Sequence, residues 1–208
     1  FGLSAITTLP LYLYEGSSES KAGIERAQSL LFVGSFQHEP NVDGLLWFLN
    51  DVLPLIKAQH PELTLQIVGK NPPESIQDYE AEDIIFHGYV DDDALAALYA
   101  AVKGVIMPLR FGAGVKGKVL EAMHYGTPFV ATSCALEGID ELDGVIDAAD
   151  SAEEFAGSVS ALLQRDPEHI VALSDQLMEI IRASYSMDAG HNLMKPFLDT
   201  YAAKQDAS

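Results

Sequence analysis

Short, continuously apolar segments alternate with longer segments of helical periodicity along most of this 208-residue sequence. The apolar segments read LLFVG, LTLQIVG, DIIFHGYV, GVIMPL and TPFVAT. Strands that are apolar throughout, rather than at every second position, are typical of a parallel sheet covered on both faces. The helical segments between them supply the crossover connections that such a sheet needs. The sequence therefore predicts an α/β fold, a doubly wound parallel sheet flanked by helices.

Local patterns refine this prediction at a few positions. Asn41 and Asp43 are candidate N-caps for the helix within NVDGLLWFLNDVLPLIKAQ, since such side chains accept hydrogen bonds from a first turn. Ser151 and Glu154 have the spacing of a capping box. The segment GVIDAA, residues 144–149, reads as one further and weaker strand.

The balance of charge narrows the classes of partner. The sequence carries 12 basic and 31 acidic side chains, a formal net charge of −19. Such a surface repels nucleic-acid phosphates and anionic lipid headgroups, so we expect no nucleic-acid partner. A single cysteine, Cys134, fits a reducing compartment. The sequence shows no signal-peptide pattern and no apolar run of about 18 residues. We therefore expect a cytoplasmic protein without a transmembrane segment, and peripheral association with a membrane stays open.

The segment GAGVKGKVLEAMHYGTP gathers glycines, lysines and a glutamate where a predicted strand gives way to a helix. Glycines just before the helix leave backbone N–H groups uncovered, and the helix N-terminus adds partial positive charge. These features together predict a phosphate-binding loop. The residues concerned are Gly112, Gly114 and Gly117, flanked by the cations Arg110, Lys116 and Lys118. A flexible connecting loop is the plainer alternative.

Lys118 and Glu121 are three positions apart and share one face of the predicted helix. In a functional interpretation, Lys118 contacts a diphosphate and Glu121 accepts hydrogen bonds from two neighbouring sugar hydroxyls. A carboxylate suits such a diol because it offers two acceptor oxygens. The alternative is an exposed ion pair that stabilises the helix by only ~0.2–0.5 kcal/mol. The residues alone leave both interpretations open.

Other candidate site residues follow from the expected sheet. Ligands of parallel α/β sheets bind beyond the carboxyl ends of the strands. At those ends the sequence places loops rich in glycine and basic residues, which would form one basic rim lined by backbone. The loop residues are Gly34, Ser35 and Phe36, then Gly69, Lys70 and Asn71, then Gly88 and Tyr89, then 109–112, and finally Thr132 and Ser133.

A nucleotide phosphohydrolase or kinase of the P-loop type is a competing interpretation. Gly112, Gly117 and Lys118 fit the pattern G-x-x-x-x-G-K, but Val119 stands where Ser or Thr coordinates magnesium. No Cys/His group has the spacing of metal ligands, and Asp91–Asp93 fit the charged first turn of a helix. We therefore predict no metal site.

The block GAGVKGKVLEAMHYGTPFVAT, followed by EGI, resembles the donor-binding signature of a known family. That family comprises retaining nucleotide-sugar glycosyltransferases with two facing Rossmann-like domains, the GT-B fold (glycosyl transferases group 1, family 4-like). The segments LLFVGSFQHEPNVDGLLWFLNDVLP, LTLQIVG and IIFHGYVDDDALAALYAAVKGVIMPL resemble the preceding units of its C-terminal domain, in order.

The resemblance implies a division of the chain. Residues 30–185 would be a Rossmann-like, nucleotide-sugar-binding domain, one half of a GT-B fold. Residues 186–208 would be the terminal helix that packs toward the other half. Residues 1–29 would be a linker or N-terminal extension, and the N-terminal acceptor domain would be missing from this chain.

The resemblance also implies residue roles. Glu121 would hold the ribose hydroxyls, and Lys118, with Lys116 assisting, would contact the donor diphosphate. Arg110 would help to stabilise the charge that builds on the β-phosphate, so the candidate catalytic residues are Lys118, Glu121 and Arg110. The further donor contacts would be Gly34, Ser35, Gly69, Lys70, Tyr89, Gly112, Gly114 and Val115.

The implied reaction moves a sugar from a nucleotide sugar, such as a UDP- or GDP-sugar, to a glycan or lipid-linked acceptor. No metal or further cofactor is expected, because protein cations neutralise the diphosphate. Many relatives carry a glutamate that contacts the donor sugar where this sequence has Ala113, and an Arg and a Lys in the loop that here spans residues 35–41. The departure at Ala113 leaves open a non-catalytic nucleotide-sugar-binding or interaction module of the same fold.

Overall fold

The computed structural model describes residues 9–10, 13–15 and 26–206. Five strands form one sheet, and in space they are ordered β3-β2-β1-β4-β5 with every neighbouring pair parallel. The strands are β1 (Ala27–Val33), β2 (Thr64–Val68), β3 (Ile84–Gly88), β4 (Val102–Met107) and β5 (Phe129–Ala131). This arrangement confirms the predicted doubly wound parallel sheet.

Helices cover both faces of the sheet. Those described are α1 (Glu39–Trp47), α2 (Leu53–Lys57), α3 (Glu74–Gln77), α4 (Asp92–Ala101), α5 (Gly117–His124), α6 (Ser133–Leu136), α7 (Ala152–Gln164), α8 (Pro167–Ser184) and α9 (Met187–Asp206). A π-helical turn, Phe48–Val52, joins α1 to α2, where the sequence predicts one continuous helix. Pro54 accounts for the turn, because proline donates no N–H and its ring displaces the carbonyl four residues earlier.

Each face of the sheet carries its own hydrophobic cluster. Leu30 and Phe32 of β1 belong to the cluster that includes the side chains of α1, α2 and α7. Leu31, between them, belongs to the cluster that includes Val119 and Met123 of α5 and the apolar face of α8. Successive side chains of a strand point to opposite faces, so a strand buried on both sides is apolar at every position. This burial explains the continuous apolar segments of the sequence.

The start of α1 differs from the prediction. The helix begins at Glu39, and His38 occupies the N-cap position without a side-chain hydrogen bond. Pro40 lies in the first turn, where its missing N–H costs nothing. Neither Asn41 nor Asp43 is therefore the N-cap, and both side chains are free for the tertiary contacts described below.

Residues 144–149 do not form the predicted strand. The N–H groups of Val145 and Ile146 both donate to the carbonyl of Leu142, at 2.9 and 3.1 Å, so a turn occupies the first half of the segment. Gly144 has a left-handed φ of 72° within this turn. The segment still touches the sheet edge, since the N–H of Ala149 donates to the carbonyl of Ala131 at 2.9 Å. The neighbouring capping box is confirmed: Ser151 Oγ accepts from the Glu154 N–H, and Glu154 accepts from the Ser151 N–H.

The termini bear on the predicted division of the chain. Strand β1 begins at Ala27, before the predicted boundary at residue 30, and much of the predicted extension, residues 1–29, lies outside the described residues. Within it, the N–H of Tyr14 donates to the carbonyl of Tyr185 at 2.8 Å. Helix α9 occupies the predicted terminal helix, and its packing toward another domain stays a prediction. No helix among the described residues has the length and apolar character that crossing a membrane requires.

Candidate functional site

The carboxyl ends of β1 and β4 lie side by side near the middle of the sheet. The chain leaves β1 toward β2 on one side and leaves β4 toward β5 on the other, so the strand order reverses between them. Such a reversal opens a crevice, and parallel α/β sheets bind their ligands there. The loop after β1 carries Gly34 and Ser35. The loop after β4 leads into α5, which carries Lys118 and Glu121.

Gly34 and Lys118 meet at this crevice. A methyl group built on Gly34 would lie 3.2 Å from Nζ of Lys118 and 3.0 Å from Cγ of Asn41. The same amine lies 4.9 Å from the centroid of the Phe32 ring, within cation–π range. The first loop thus lies directly against the amine with bare backbone, and a side chain at position 34 would crowd both the amine and Asn41.

The amine of Lys118 has a neutral partner. Its Nζ donates to Oδ1 of Asn41 at 2.6 Å, and among the described residues it forms no salt bridge. Burial lowers the pKa of Lys118 to about 8, and the negative charge of Glu121 opposes this shift. The amine is still mostly protonated at neutral pH. A poorly solvated cation at the positive end of α5 attracts anions strongly.

Asn41 joins three elements around this amine. Its side chain is buried, in the first turn of α1, and its Nδ2 donates to the carbonyl of Ser35 at 2.8 Å. Its Oδ1 accepts from Lys118 of α5. The same stretch of α1 lies directly on the segment after β4, because a methyl group on Gly44 would collide with the carbonyl oxygen of Pro108. Asn41 therefore fixes both the first loop and the amine.

Glu121 is partly buried, and its carboxylate accepts a hydrogen bond from a tyrosine. The hydroxyl of Tyr99, at the end of α4, donates to Oε2 of Glu121 at 2.7 Å. Burial raises the pKa of Glu121, the Tyr99 hydrogen bond lowers it, and the charge of Asp92 raises it. Among the described residues no group donates to Oε1, so this oxygen keeps its full acceptor capacity. The carboxylate lies one helical turn beyond Lys118.

The glycine loop before α5 adopts the conformation that glycine permits. Gly112 has a φ of 124° and Gly114 a φ of 77°, values that L side chains rarely adopt. Lys116 holds this loop from within. Its Nζ donates to the carbonyl of Gly114 at 2.5 Å and lies 3.3 Å from the carboxylate of Glu137. Val115 packs inward beside Gly138 and the second core cluster.

The remaining cation of this loop is also paired. Arg110 donates to both carboxylate oxygens of Asp43 in α1, from Nε to Oδ2 at 2.8 Å and from Nη2 to Oδ1. This contact raises the pKa of Arg110. Of the three predicted cations, Lys118 is therefore the one without a carboxylate partner among the described residues.

Lys70 and Tyr89 lie at the ends of β2 and β3, toward the edge of the sheet. Nζ of Lys70 lies 3.9 Å from the centroid of the Tyr89 ring, and 69% of the Tyr89 surface is exposed. Gly69 lies closer to the crevice, since a methyl group there would collide with the carbonyl oxygen of Gly34. The structure therefore brings Gly34, Gly69 and Lys118 together, and places Tyr89 with Lys70 at an outer position.

The geometry gives the P-loop alternative no support. Val119 is completely buried in the second core cluster, so its position could not present a ligand to a metal ion at the loop. Asp91 acts as the N-cap of α4, where its side chain accepts from the N–H of Ala94 at 2.8 Å. Within the described part of the chain, no group of three or more His, Cys, Asp or Glu side chains could hold a metal ion.

Three residues of this site were missed from the sequence: Asn41, Asp43 and Tyr99. Each of them holds a predicted site residue, namely Lys118, Arg110 and Glu121. The residue types of Asn41 and Asp43 favour the local role of an N-cap and give no sign of these distant contacts. Tyr99 lies in the apolar stripe of α4, so its hydroxyl gave no separate signal.

Comparison with known proteins gives a consistent result. Residues 27–165 match the family model described as Glycosyl transferases group 1. A Klebsiella pneumoniae protein described as an uncharacterized 44.6 kDa protein in the cps region is 35% identical over 117 residues, which are 53% of this chain and 30% of that protein.

Solved structures share the fold. A TarM variant from S. aureus, in complex with fondaparinux, alpha-GlcNAc-glycerol and UDP, matches 96% of this chain and 40% of its own, with a TM-score of 0.71 and 16% identity. The C-terminal domain of the group 1 glycosyl transferase LpcC from Francisella tularensis matches 87% of this chain and 100% of its own, with a TM-score of 0.61 and 16% identity. These likenesses confirm the Rossmann-like fold of one half of a GT-B enzyme.

Proposed function

The chain belongs to the glycosyl transferases group 1 family, and from this premise we propose that it binds the nucleotide-sugar donor of a glycosyltransferase. The donor's diphosphate lies at the start of α5 and against the loop after β1. The sugar moiety passes from this donor to a glycan or lipid-linked acceptor.

The observation that carries the proposal is the pairing of Lys118 with Glu121 at the crevice between β1 and β4. The amine is poorly solvated and lacks a carboxylate partner among the described residues. The carboxylate, one turn later, has one oxygen held by Tyr99 and the other available. A nucleoside diphosphate presents a matching pair of groups, an anionic diphosphate and the vicinal diol of its ribose.

The proposed chemistry is electrostatic. The bond between the sugar and the β-phosphate breaks, and negative charge builds on the departing diphosphate. Lys118 stabilises this charge, as do the first N–H groups of α5, whose N-cap residue Lys116 makes no side-chain capping hydrogen bond. Arg110 contributes a second positive charge once its pairing with Asp43 weakens, and Lys116 fixes the loop's shape. Gly112 and Gly114 let backbone N–H groups approach the phosphates.

In this proposal, Lys70 and Tyr89 complete the donor site. Tyr89 offers the base an exposed aromatic face beside Lys70, and Gly34, Ser35, Gly69 and the backbone of Val115 line the path to the diphosphate. The complex of TarM with UDP supports the choice of UDP as the first probe.

We propose that a separate N-terminal domain supplies the acceptor half of the reaction, because the chain spans less than half the length of the proteins that it matches. The matched segment spans 30% of the Klebsiella relative and 40% of TarM. We therefore expect the chain alone to bind donor, and catalysis to require an N-terminal acceptor domain. The cps-region designation of the relative supports a polysaccharide acceptor.

The test is calorimetry of the 208-residue chain with UDP, GDP and ATP, each with and without magnesium. We expect a nucleoside diphosphate to bind with equal affinity in magnesium and in EDTA. Lys118→Ala and Glu121→Gln should each weaken binding about tenfold or more, as loss of a charged hydrogen-bonding partner does. The exposed residues Lys195 and Glu168 supply controls, and Lys195→Ala and Glu168→Gln should bind like the unchanged chain. Magnesium-dependent ATP binding, or unchanged binding by the Lys118 and Glu121 variants, contradicts the proposal.

A non-catalytic binding module stays a second candidate because Ala113, exposed in the loop, offers no side-chain oxygen to a sugar. The two candidates separate in the intact protein that contains this domain. Slow hydrolysis or transfer from a UDP- or GDP-sugar, lost in Lys118→Ala, supports the transferase. Tight donor binding without any turnover supports the module.

A further inference from the structure

We propose that Tyr99 is a positioning residue for the donor site, whose hydroxyl aims the carboxylate of Glu121 at the ribose diol. This inference rests on the proposed function and goes beyond it, since it assigns a role to a residue that does not touch the ligand. Tyr99 acts through Glu121 alone.

The geometry of the pair is that of a fixed support. Tyr99 has no exposed surface, and its hydroxyl lies 2.7 Å from Oε2 of Glu121. Its ring stacks on Tyr125, with centroids 4.7 Å apart and planes 19° from parallel. A side chain packed in this way has one available rotamer, so its hydroxyl has a fixed position and orients the carboxylate that accepts its hydrogen bond.

The backbone of Tyr99 is anchored as well. Its carbonyl accepts from Nη1 of Arg26 at 3.0 Å and from Oγ1 of Thr127 at 2.8 Å. Both donors come from other parts of the chain, one preceding β1 and one preceding β5. The position of the hydroxyl is therefore set by the packed core and not by α4 alone.

The two carboxylate oxygens of Glu121 have different partners, and this difference gives the hydrogen bond from Tyr99 a function. Oε2 is committed to Tyr99, and the plane of the carboxylate is then fixed by one hydrogen bond and by the helix. Oε1 is left to accept from a ligand. Of two neighbouring ligand hydroxyls, one can donate to Oε1 and the other to the second lone pair of Oε2. Without the tyrosine hydroxyl, the carboxylate rotates and accepts from either hydroxyl alone.

The hydrogen bond also acts on the charge of Glu121. Burial and the charge of Asp92 in α4 raise the pKa of this carboxyl, whereas the hydroxyl of Tyr99 and the amine of Lys118 lower it. Tyr125 packs against the same tyrosine ring. Removal of the hydroxyl therefore shifts the pKa of Glu121 further upward. A protonated carboxyl is a poorer acceptor for a diol.

The experiment compares ribose with deoxyribose ligands. The 208-residue chain and its Tyr99→Phe variant are titrated with UDP and GDP, and with the 2′-deoxy form of each. We expect the unchanged chain to prefer the ribose form about tenfold, the effect of one hydrogen bond to a charged group. Tyr99→Phe should lose most of this preference and bind the 2′-deoxy forms with unchanged affinity.

Tyr185→Phe is the matched control. Tyr185, at the end of α8, is also buried, and its hydroxyl donates to a glutamate, Oε2 of Glu141, at 2.9 Å. Its loss removes an equivalent hydrogen bond, and the ribose preference should not change. A similar loss of preference in both variants indicates a general loosening of the domain and overturns the inference.

Two further measurements separate this inference from the proposed function. In a Glu121→Gln background, Tyr99→Phe should have no additional effect on affinity, because the two residues act as one unit. Independently of any ligand, carbon NMR of labelled glutamate should show a higher pKa for Glu121 in Tyr99→Phe. If no nucleotide binds the unchanged chain, the proposed function fails while the NMR result still tests the support. If nucleotides bind and Tyr99→Phe keeps the ribose preference, the inference alone fails.

Discussion

The amine of Lys118 and the side-chain oxygen of Asn41 lie 2.6 Å apart, so the cation at the crevice is held by a neutral amide and not by a carboxylate. A carboxylate in that place would neutralise the amine and compete with an anionic ligand. An amide oxygen orients the amine and leaves its charge unbalanced. The site can therefore be strongly anion-attracting even though the chain carries a net charge of −19.

This relationship predicts how binding depends on pH. The pKa of Lys118 is about 8, below its ordinary value of 10.5, because the amine is buried. The protonated amine binds the diphosphate, so affinity should change little between about pH 7 and that pKa, above the second pKa of a phosphate at about 6. It should fall as pH rises through the lysine pKa, by roughly tenfold per pH unit at the limit. Titrations of UDP and GDP from pH 6.5 to pH 9.5 check this, in buffers of different ionisation enthalpy to count protons taken up.

Lys118→Arg supplies the control for the pH profile. A guanidinium stays charged throughout this range, so the variant should bind with an affinity that no longer declines above pH 8. A profile that declines equally in the lysine and arginine forms would assign the titration to another group.

We predict that the neutrality of the Asn41 side chain is as important for ligand binding as its hydrogen bonds are. Asn41→Asp places a carboxylate against Nζ of Lys118, so it should raise the pKa of the lysine and weaken diphosphate binding about tenfold or more. Asn41→Ala leaves the carbonyl of Ser35 without its donor and should lower the free energy of unfolding by about 1–2 kcal/mol. Calorimetry and thermal unfolding measure the two effects.

Asn50→Ala is the control for both variants. Asn50 lies in the π-helical turn, is exposed, and donates to the carbonyl of Leu46 at 2.9 Å. Its removal should leave donor affinity unchanged. Equal losses of affinity in Asn41→Ala and Asn50→Ala would show that Asn41 has no specific role.

The origin of these contacts explains what could be predicted from the sequence. The strands were predictable because burial on both faces makes each of them apolar throughout, as Leu30, Leu31 and Phe32 show. The lysine and glutamate of α5 were predictable because their spacing is local. The residues that hold them were not, since Asn41 is 77 positions from Lys118 and Tyr99 is 22 positions from Glu121.

The wrong local predictions have a related cause. Asn41 and Asp43 have the residue types of N-caps, but Pro40 favours the first helical turn and the helix starts before them. Residues 144–149 have strand-like composition, but the turn that starts at Leu142 continues through Ile146 and takes up half of the segment. In each case a backbone constraint outweighed the preference of the side chains.

We predict that position 34 must lack a side chain, because the amine of Lys118 occupies the space that a side chain would need. Gly34→Ala puts a methyl group 3.0 Å from Asn41 and 3.2 Å from Nζ of Lys118, so both side chains must move. We expect donor affinity to fall about tenfold and the free energy of unfolding to fall by about 1–2 kcal/mol, a typical cost of overpacking. In contrast, Gly157→Ala meets nothing within 4 Å in the middle of α7 and should raise the unfolding free energy by about 0.5–1 kcal/mol. Calorimetry and chemical denaturation distinguish the two, and unaltered binding by Gly34→Ala would remove this loop from the site.

The pair of Arg110 and Asp43 gives the last prediction. The arginine is held by both oxygens of the aspartate, so its charge is balanced in this structure, and contact with a donor phosphate must weaken that pairing. If Arg110 acts directly on the donor, Arg110→Gln should weaken UDP or GDP binding about tenfold. Asp43→Asn should leave binding unchanged or strengthen it, because it frees the guanidinium. Both residues are partly exposed, so each substitution should change the free energy of unfolding by less than about 1 kcal/mol.

Opposite effects on affinity support the catalytic assignment of Arg110. Equal losses in the two variants would show instead that the pair clamps α1 to the loop after β4 and that the arginine does not meet the ligand.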